Sequence, residues 1–214
     1  CVDPMCGAGT LPIEAAFIAG DIAPGLLRER FGFMGWKLYD ASLFAPIKAD
    51  AEARRQQGLK HLPPIIGYDA DPDAIHIAFE NIERAQLRGH VHVEKRELTA
   101  CAPPSHVTSI PGLCIVNPPY GERLGELDEL AYLYRYLATR LKEHFQNWHA
   151  AILTGNPDLG KRMGLRARKR YMLFNGALEC QLLLFHVTPE WFVTERRAAP
   201  VETTPAPLVE TLSP

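Results

Sequence analysis

Short apolar segments alternate with helical segments along most of this 214-residue chain. Four of them have the length and composition of buried strands: residues 65–69, 91–94, 113–116 and 150–154. The longest helix between them, predicted over 127–145, repeats leucine along one face. Strands that alternate with helices predict an α/β fold, in which helices cover both faces of a mostly parallel, Rossmann-like sheet.

The last strands of the sheet are predicted to form a hairpin. Apolar runs over 170–174 and 177–187 flank Asn175-Gly176, a pair that favours a tight turn between antiparallel strands. Four prolines and no strand or helix period follow from residue 198 onwards. We therefore expect a folded domain over 1–188 and a linker or tail over 189–214. Because the chain opens on what reads as the end of a strand, we also expect it to be part of a longer protein.

Composition and charge exclude several classes of protein. Lys and Arg number 23 against 25 Asp and Glu, and a net charge of −2 excludes a globally basic coat for nucleic acid, though not a local basic patch. No apolar run approaches the roughly 18 residues of a membrane-spanning helix. The five cysteines are scattered without a Cys-x-x-Cys pair, so we expect a reducing cytoplasm and neither a disulfide framework nor a metal site.

The first candidate site is a glycine-rich turn between the first strand and the first helix. It reads Asp3-Pro4-Met5-Cys6-Gly7-Ala8-Gly9-Thr10. Gly7 and Gly9 permit a tight turn and let a ligand approach the backbone closely. Phosphate binding is disfavoured, because the turn has neither the Gly-Lys-Ser/Thr of a phosphate loop nor the spacing of the dinucleotide fingerprint. A purely structural turn stays open as the alternative.

The second candidate is Asp69, which ends the next predicted strand. A carboxylate in this position can accept hydrogen bonds from both hydroxyls of a ribose. Acidic residues at strand ends also cap the following helix, but Asp71 or Asp73 can do that here and leave Asp69 freer for a ligand. We therefore favour a ligand-binding role for Asp69.

The third candidate follows the strand predicted over 113–116 and reads Asn117-Pro118-Pro119-Tyr120-Gly121-Glu122-Arg123. The two prolines fix the backbone and remove two N–H donors. Their carbonyls and the Asn117 side-chain oxygen then form a stiff row of acceptors that suits a planar amino group. The Tyr120 ring offers a face on which a nucleobase can stack. A merely stiffened loop would not account for the adjacent Asn117 and Tyr120.

These motifs together resemble a known family. Residues 3–10 and 117–124 are similar to those of class I S-adenosylmethionine-dependent methyltransferases that modify amino groups, and most nearly to the RlmL family of bacterial 23S rRNA guanine-N2 methyltransferases. The resemblance extends over roughly residues 1–188. It implies a seven-stranded sheet, S-adenosylmethionine as cofactor and guanine N2 in 23S rRNA as target. It also implies an RNA-binding THUMP domain ahead of the first motif and, in many relatives, a second methyltransferase domain after the tail.

The resemblance also implies a role for each candidate residue. Asp3 and the glycines would hold the methionine part of the cofactor, Asp69 the ribose and Glu97 the adenine amine, although the family more usually has Asp at the last position. The complete cofactor set is Asp3, Pro4, Met5, Cys6, Gly7, Gly9, Thr10, Asp69, Ala70 and Glu97. The target guanine would lie against Asn117, Pro118, Pro119 and Tyr120. Direct transfer to an oriented amine needs no metal and no covalent intermediate, and we interpret Cys6 and Cys114 as structural.

Basic residues cluster locally despite the negative net charge. They are Arg28 and Arg30 among aromatic residues, and Lys161, Arg162, Arg166, Arg168, Lys169 and Arg170 in a stretch without an acid. Such runs are often just solvated, but with an RNA substrate we expect phosphate contacts.

Two alternatives stay open. The first is another amino-methylating enzyme on the same scaffold, acting on adenine N6, on guanine N2 of tRNA or on a glutamine amide. The second is an RNA-binding module without catalytic activity. A purely structural role would not require Asp3, Gly7, Gly9, Asp69 and Asn117 together, which favours an enzyme.

Overall fold

One seven-stranded sheet organises the residues that the computed structural model describes, which are 1–105, 111–120 and 127–193. Its strands are β1 (Val2–Asp3), β2 (Ile66–Asp69), β3 (His92–Lys95), β4 (Leu113–Val116), β5 (His149–Thr154), β6 (Lys169–Asn175) and β7 (Leu178–His186). The helices are α1 (Thr10–Ala19), α2 (Ala41–Leu59), α3 (Pro72–Arg84), α4 (Leu127–His144) and α5 (Pro157–Lys161), with short 3-10 helices at Gly32–Gly35, Leu98–Ala100 and Pro189–Trp191.

The predicted α/β architecture is confirmed. The strand order is β3-β2-β1-β4-β5-β7-β6. The first five strands pair in parallel, whereas β7 runs antiparallel to both β5 and β6. The terminal hairpin therefore sits at one edge of an otherwise parallel sheet.

The hairpin turn lies one residue beyond the predicted Asn175-Gly176 pair. Asn175 pairs with Leu178 as the last residue of β6, so the two loop residues are Gly176 and Ala177. Only Gly176 of this pair has a positive φ, +62°. A glycine at the first loop position is the pattern of a type II′ turn, which matches the twist of the flanking strands.

Two apolar clusters pack on opposite faces of the sheet. Ile65 belongs to one cluster and Ile66 to the other, as expected for successive strand residues. The larger cluster takes most of its helical side chains from α4, where Leu130, Leu137 and Leu141 are buried, and one more from α5. The smaller cluster takes its buried helical side chains from α1 and α3. The predicted leucine face of α4 is thus its core face, with Leu133 half-buried.

The charged residues over 47–57 predict a helix there, and α2 is longer than this segment at both ends. It begins at Ala41 because the Asp40 side chain caps it, accepting a hydrogen bond from the Ser42 N–H at 2.8 Å. Pro46 lies inside the helix, where it removes one backbone hydrogen bond without ending the element. No residue of α2 is buried, so the helix packs along the surface of the domain.

The final described residues pack on the segment between α5 and β6. Phe192 forms a bridge with Leu165, and the Val193 N–H donates to the Gly164 carbonyl at 3.0 Å. Within the described ranges no helix is long and apolar enough to cross a bilayer.

Candidate active site

Three polar strand ends lie side by side on one edge of the sheet. Strands β2, β1 and β4 are consecutive and parallel, so Asp69, Asp3 and Asn117 all lie at or just beyond their carboxyl ends. Ligands of open α/β sheets bind at this edge. We call residues 3–10 the glycine turn and residues 117–120 the proline loop.

The Asp3 carboxyl group is buried at the base of the glycine turn. Its side chain is 1% exposed, and Oδ1 accepts a hydrogen bond from the Met5 N–H at 3.1 Å. Burial raises the pKa of Asp3 to about 7, and the nearby Asp69 charge adds to the increase. A cation placed in the turn would favour the ionised form of this carboxyl group.

Glycine is required at positions 7 and 9 of the turn for different structural reasons. Both have positive φ, +51° at Gly7 and +82° at Gly9. A Cβ at Gly9 would lie 3.2 Å from the Ala78 Cβ, so this glycine allows the turn to pack on α3. A Cβ at Gly7 would meet nothing within 4 Å, which leaves open space above the backbone. The Asn81 side chain also holds the turn, donating to the Ala8 carbonyl at 2.9 Å.

Asp69 forms more hydrogen bonds within the protein than the sequence indicates. Asp71 does cap α3, accepting from the Asp73 N–H at 2.9 Å, as predicted. Asp69 nevertheless accepts two backbone hydrogen bonds, from the Gly7 N–H at 2.9 Å and from the Asp71 N–H at 3.0 Å. Asp69 therefore ties the glycine turn to β2, and its role toward a ligand stays a prediction. Each carboxylate oxygen keeps further lone-pair capacity toward a ligand.

The remaining residues predicted for the cofactor differ in exposure. Pro4 is buried and Met5 packs against the larger core cluster. Thr10 begins α1 and is exposed, as is Ala70 beyond β2. Glu97 is exposed ahead of a short 3-10 helix that its side chain does not cap.

The cysteine thiols near the site are poor nucleophiles. Cys6 is buried, and burial, with added repulsion from Asp3 and Asp69, raises its pKa to about 12. Cys114 lies inside β4 and is fully buried, which also raises its pKa. Thiolate attack is the chemistry of an ionised, accessible cysteine, so this geometry agrees with structural roles for both.

The proline loop has exposed acceptors and a partly sheltered ring. Asn117 and Pro119 are exposed, Pro118 is buried and Tyr120 is half-buried. The Tyr120 hydroxyl donates to Asn117 Oδ1, so the side-chain oxygen predicted to receive an amino group is already in a hydrogen bond. Gly121–Arg123 and Leu124, which carry part of the family resemblance, lie outside the described residues.

Sequence reasoning missed the residues that support Tyr120. A Cβ at Gly155 would lie 3.0 Å from the Tyr120 ring, so this glycine beyond β5 makes room for the ring. Burial raises the pKa of Tyr120, and Asn175 at the end of β6 and Cys180 on β7 are close enough to the hydroxyl to affect this pKa. Asn175 and Cys180 belong to the terminal hairpin, and only the fold shows that this hairpin reaches the proline loop.

The predicted basic residues are all on the surface. Arg28 and Arg30 are exposed between α1 and α2, and so are all six cations between Lys161 and Arg170. Lys161 forms an ion pair with Asp158 at 2.8 Å. The other positions stay predictions as phosphate contacts.

A parallel sheet with a terminal antiparallel hairpin and a ligand edge at β2, β1 and β4 is the fold of class I methyltransferases. Residues 1–183 match the model of the UPF0020 family, described as the RMKL-like methyltransferase domain. The chain belongs to this family.

Individual relatives agree with this membership. The chain is 49% identical over 199 residues to the Ribosomal RNA large subunit methyltransferase K/L of Methylococcus capsulatus and 50% identical over 206 residues to that of Allochromatium vinosum, covering 93% and 95% of this chain. It spans only 26% and 28% of those proteins' length. The solved structure of SMU.472, assigned to the methyltransferases and complexed with SAH, superimposes with a TM-score of 0.78 at 32% identity, covering 86% of this chain and 47% of SMU.472.

Proposed function

We propose that this chain is the catalytic domain of an enzyme that methylates the exocyclic N2 amine of a guanine in 23S rRNA, with S-adenosylmethionine as donor. The observation that carries the proposal is the adjacency of the glycine turn and the proline loop at neighbouring strand ends. Such adjacency brings a cofactor and an amino group together. The RNA substrate is supported by the relatives named as large subunit rRNA methyltransferases.

The glycine turn fits S-adenosylmethionine in charge and in shape. The cofactor carries a sulfonium and an ammonium group, and the turn offers the buried Asp3 carboxyl beside Asp69. The open space at Gly7 lets a ligand lie directly against the backbone. Asp69 would hold the ribose and Glu97 the adenine amine. When bound, the cofactor would supply an electrophilic methyl group.

The proline loop would orient the acceptor amine. Asn117 Oδ1 and the Pro118 carbonyl would accept the two amine hydrogens, which directs the nitrogen lone pair toward the methyl group. Accepting the amine requires Asn117 to exchange its hydrogen bond from Tyr120, whose ring can then stack on the base. The guanine must leave its stack to enter the site, and its spare proton can leave to water.

The proposal assigns residues 1–188 to the catalytic domain of a cytoplasmic enzyme and 189–214 to a linker or tail, the first residues of which, 189–193, still pack on the domain. Phosphate contacts would come from Arg28, Arg30 and the cations between Lys161 and Arg170, which are exposed and so available to an RNA backbone.

The test is methyl transfer to unmodified 23S rRNA, followed by nuclease digestion and mass spectrometry of the nucleosides. We expect N2-methylguanine from the parent chain. Asn117→Ala should lower the rate at least about 100-fold while S-adenosylmethionine binding is unchanged, because the substitution removes an acceptor that acts only on the target. Gln56→Ala, which removes an exposed amide on α2, is the matched control and should be neutral.

Each alternative gives a different result in the same assay. Formation of N6-methyladenine, or transfer only to an added tRNA or glutamine-containing peptide, would show that the site methylates a different substrate from the one proposed. Cofactor binding with no transfer to any of these acceptors would favour the non-catalytic RNA-binding module. Full activity of Asn117→Ala would contradict the role given to the proline loop.

A further inference from the structure

A cavity lies beside the carboxyl-terminal half of α4 and the end of α5. It has a volume of about 580 Å³, within the range of about 300–1,000 Å³ typical of ligand sites. Its lining comes from α4, from the end of α5 and from the segments that follow α5 and β7: Arg135, Thr139, Lys142, Lys161, Arg162, Met163, Gly164 and Val193. Four of these residues are cations and none is acidic. We call it the basic cavity.

The cations of the basic cavity are arranged along α4 and opposite it. Arg135 and Lys142 are seven residues apart, so they lie on one face of the helix and about 10 Å apart along its axis. Lys161 and Arg162 face them from the end of α5. Of these four cations, only Lys161 has a carboxylate partner among the described residues, Asp158 at 2.8 Å.

Lys142 is held in place rather than left in solvent. Its side chain is half-buried, with Nζ 5.3 Å from the centre of the Phe192 ring. Nζ also lies 3.3 Å from the position that a Cβ would take at Gly164. Burial lowers the pKa of Lys142. An ammonium group kept partly out of water without a carboxylate among the described residues gains by meeting an anion.

The cations continue beyond this cavity. Lys161 also lines a neighbouring cavity of about 250 Å³, to which Arg170 on β6 contributes. The positive groups therefore form a track from α4 across α5 to the edge strand of the sheet. None of the described residues that line the basic cavity is aromatic. An extended polyanion fits a track of separated cations, whereas a nucleobase would find no stacking partner there.

We propose that the basic cavity binds the phosphate backbone of the RNA substrate through Arg135, Lys142, Lys161 and Arg162, at a distance from the transferred methyl group. The inference rests on the proposed function, which supplies an RNA as substrate. Arg135 and Lys142 are the new members, because the sequence analysis selected Arg28, Arg30 and the run from Lys161 to Arg170 but neither of these two. Helix α4 runs back from the catalytic edge, and Lys142 lies about 22 Å along it from Leu127. The cavity therefore holds RNA without touching the target base.

The test measures RNA and cofactor binding separately on the full chain. A labelled RNA hairpin is titrated by fluorescence anisotropy from about 50 to about 200 mM salt, with the parent and with Arg135→Gln, Lys142→Gln and Arg162→Gln. Each variant should weaken RNA binding about fivefold and lower the salt slope by about one, because one phosphate contact is lost. Lys60→Gln, which removes an exposed cation at the end of α2, is the matched control and should bind like the parent.

Two further readouts keep the outcomes distinct. Calorimetric titration with S-adenosylmethionine should give the same affinity for parent and variants, which shows that they fold. With 23S rRNA as substrate, the variants should raise KM and leave kcat unchanged. Variants that bind RNA as the parent does would overturn the inference, as would a parent chain that binds no RNA; cofactor binding then still decides the proposed function on its own.

Competition identifies the anion. Tighter binding of polyglutamate than of the RNA hairpin, weakened by Lys142→Gln while RNA binding is unchanged, would assign the cavity to an acidic peptide and overturn the proposal. Thermal stabilisation by inorganic phosphate that Lys142→Gln abolishes, without any change in RNA affinity, would assign it to a free anion and also overturn the proposal.

Discussion

The glycine turn and the proline loop meet at the same edge of the sheet but are held in different ways. In the glycine turn, backbone N–H groups bond to buried or half-buried carboxylates, as Gly7 does to Asp69, and Gly9 packs on α3. In the proline loop, the side chains bond to each other, as Tyr120 does to Asn117, and much of the loop is exposed. The first arrangement suits a ligand that is the same in every reaction cycle. The second lets internal hydrogen bonds be exchanged for those of an arriving base.

The largest expected effect concerns Asp3 in the glycine turn. Its pKa is about 7 in the folded chain against 3.8 unfolded, so the folded state holds an additional proton between these values. Below about pH 4 this group does not lower the free energy of unfolding, because it is protonated in both states. As pH rises toward 7 the free energy of unfolding falls, by up to about 4 kcal/mol at 1.36 kcal/mol per pKa unit. Asp3→Asn should flatten this slope in denaturant unfolding followed across pH.

The control for this pH dependence is Asp128→Asn, which neutralises an exposed carboxylate at the start of α4. It should keep the parent's slope between pH 4 and 7. An equal slope in Asp3→Asn and the parent would show that the buried carboxyl group is not the cause. Ligand binding should also depend on pH: S-adenosylmethionine should bind more tightly as pH rises through 7, because its cation favours ionised Asp3.

The next effect separates two neighbouring aspartates. Asp69→Ala removes the acceptor of the Gly7 N–H and of the proposed ribose hydroxyls, so affinity for S-adenosylmethionine should fall about 100-fold. Asp71→Ala removes only the cap of α3 and should cost about 1 kcal/mol of stability with little loss of affinity. Calorimetry and thermal unfolding of both variants check this. Equal affinities in the two variants would contradict the role of Asp69.

A smaller effect distinguishes backbone strain from side-chain packing, through the unfolding free energies of alanine variants at two glycines. Gly9 and Gly89 share a φ of +82°, but only Gly9 has a neighbour within 4 Å of the added Cβ. Gly89→Ala should cost about 1 kcal/mol of unfolding free energy through backbone strain, and Gly9→Ala about 2 kcal/mol because Ala78 must also shift. Denaturant unfolding measures both. Equal losses would show that the close approach to α3 is unimportant.

The smallest effect tests exchange in the proline loop. Tyr120→Phe keeps the ring and removes the hydrogen bond to Asn117, so kcat should change by only a few-fold. Tyr120→Ala also removes the stacking surface, and KM for RNA should rise about tenfold. Steady-state kinetics distinguish the two. A Tyr120→Phe variant as impaired as Tyr120→Ala would show that the hydroxyl, and not the ring, carries the function.

The sequence predicts the part of this molecule that depends on local chemistry. Alternating strands and helices indicate the parallel sheet, and Asp71 before Pro72 correctly marks the cap of α3. The three strand ends could be selected because ligands of open α/β sheets bind at the carboxyl ends of the strands. The early start of α2 was missed because Pro46 hides a helix that Asp40 initiates six residues earlier.

Contacts between distant segments could not be predicted in this way. The hydrogen bond from Gly7 to Asp69 joins residues 62 positions apart, and its geometry depends on β1 and β2 being paired. Gly155 and Asn175 reach Tyr120 only because β7 folds back along β5. Arg135 and Lys142 are ordinary helix residues until α5 places further cations opposite them.

Calorimetric titration of the parent chain with S-adenosylmethionine tests the cofactor site most directly, because hydrogen bonds to Asp3 and Asp69 already hold the glycine turn in place. We expect one equivalent to bind, with much weaker binding by Asp69→Ala. Absence of binding by the parent, or equal binding by Asp69→Ala, would contradict the assignment of this edge of the sheet to the cofactor.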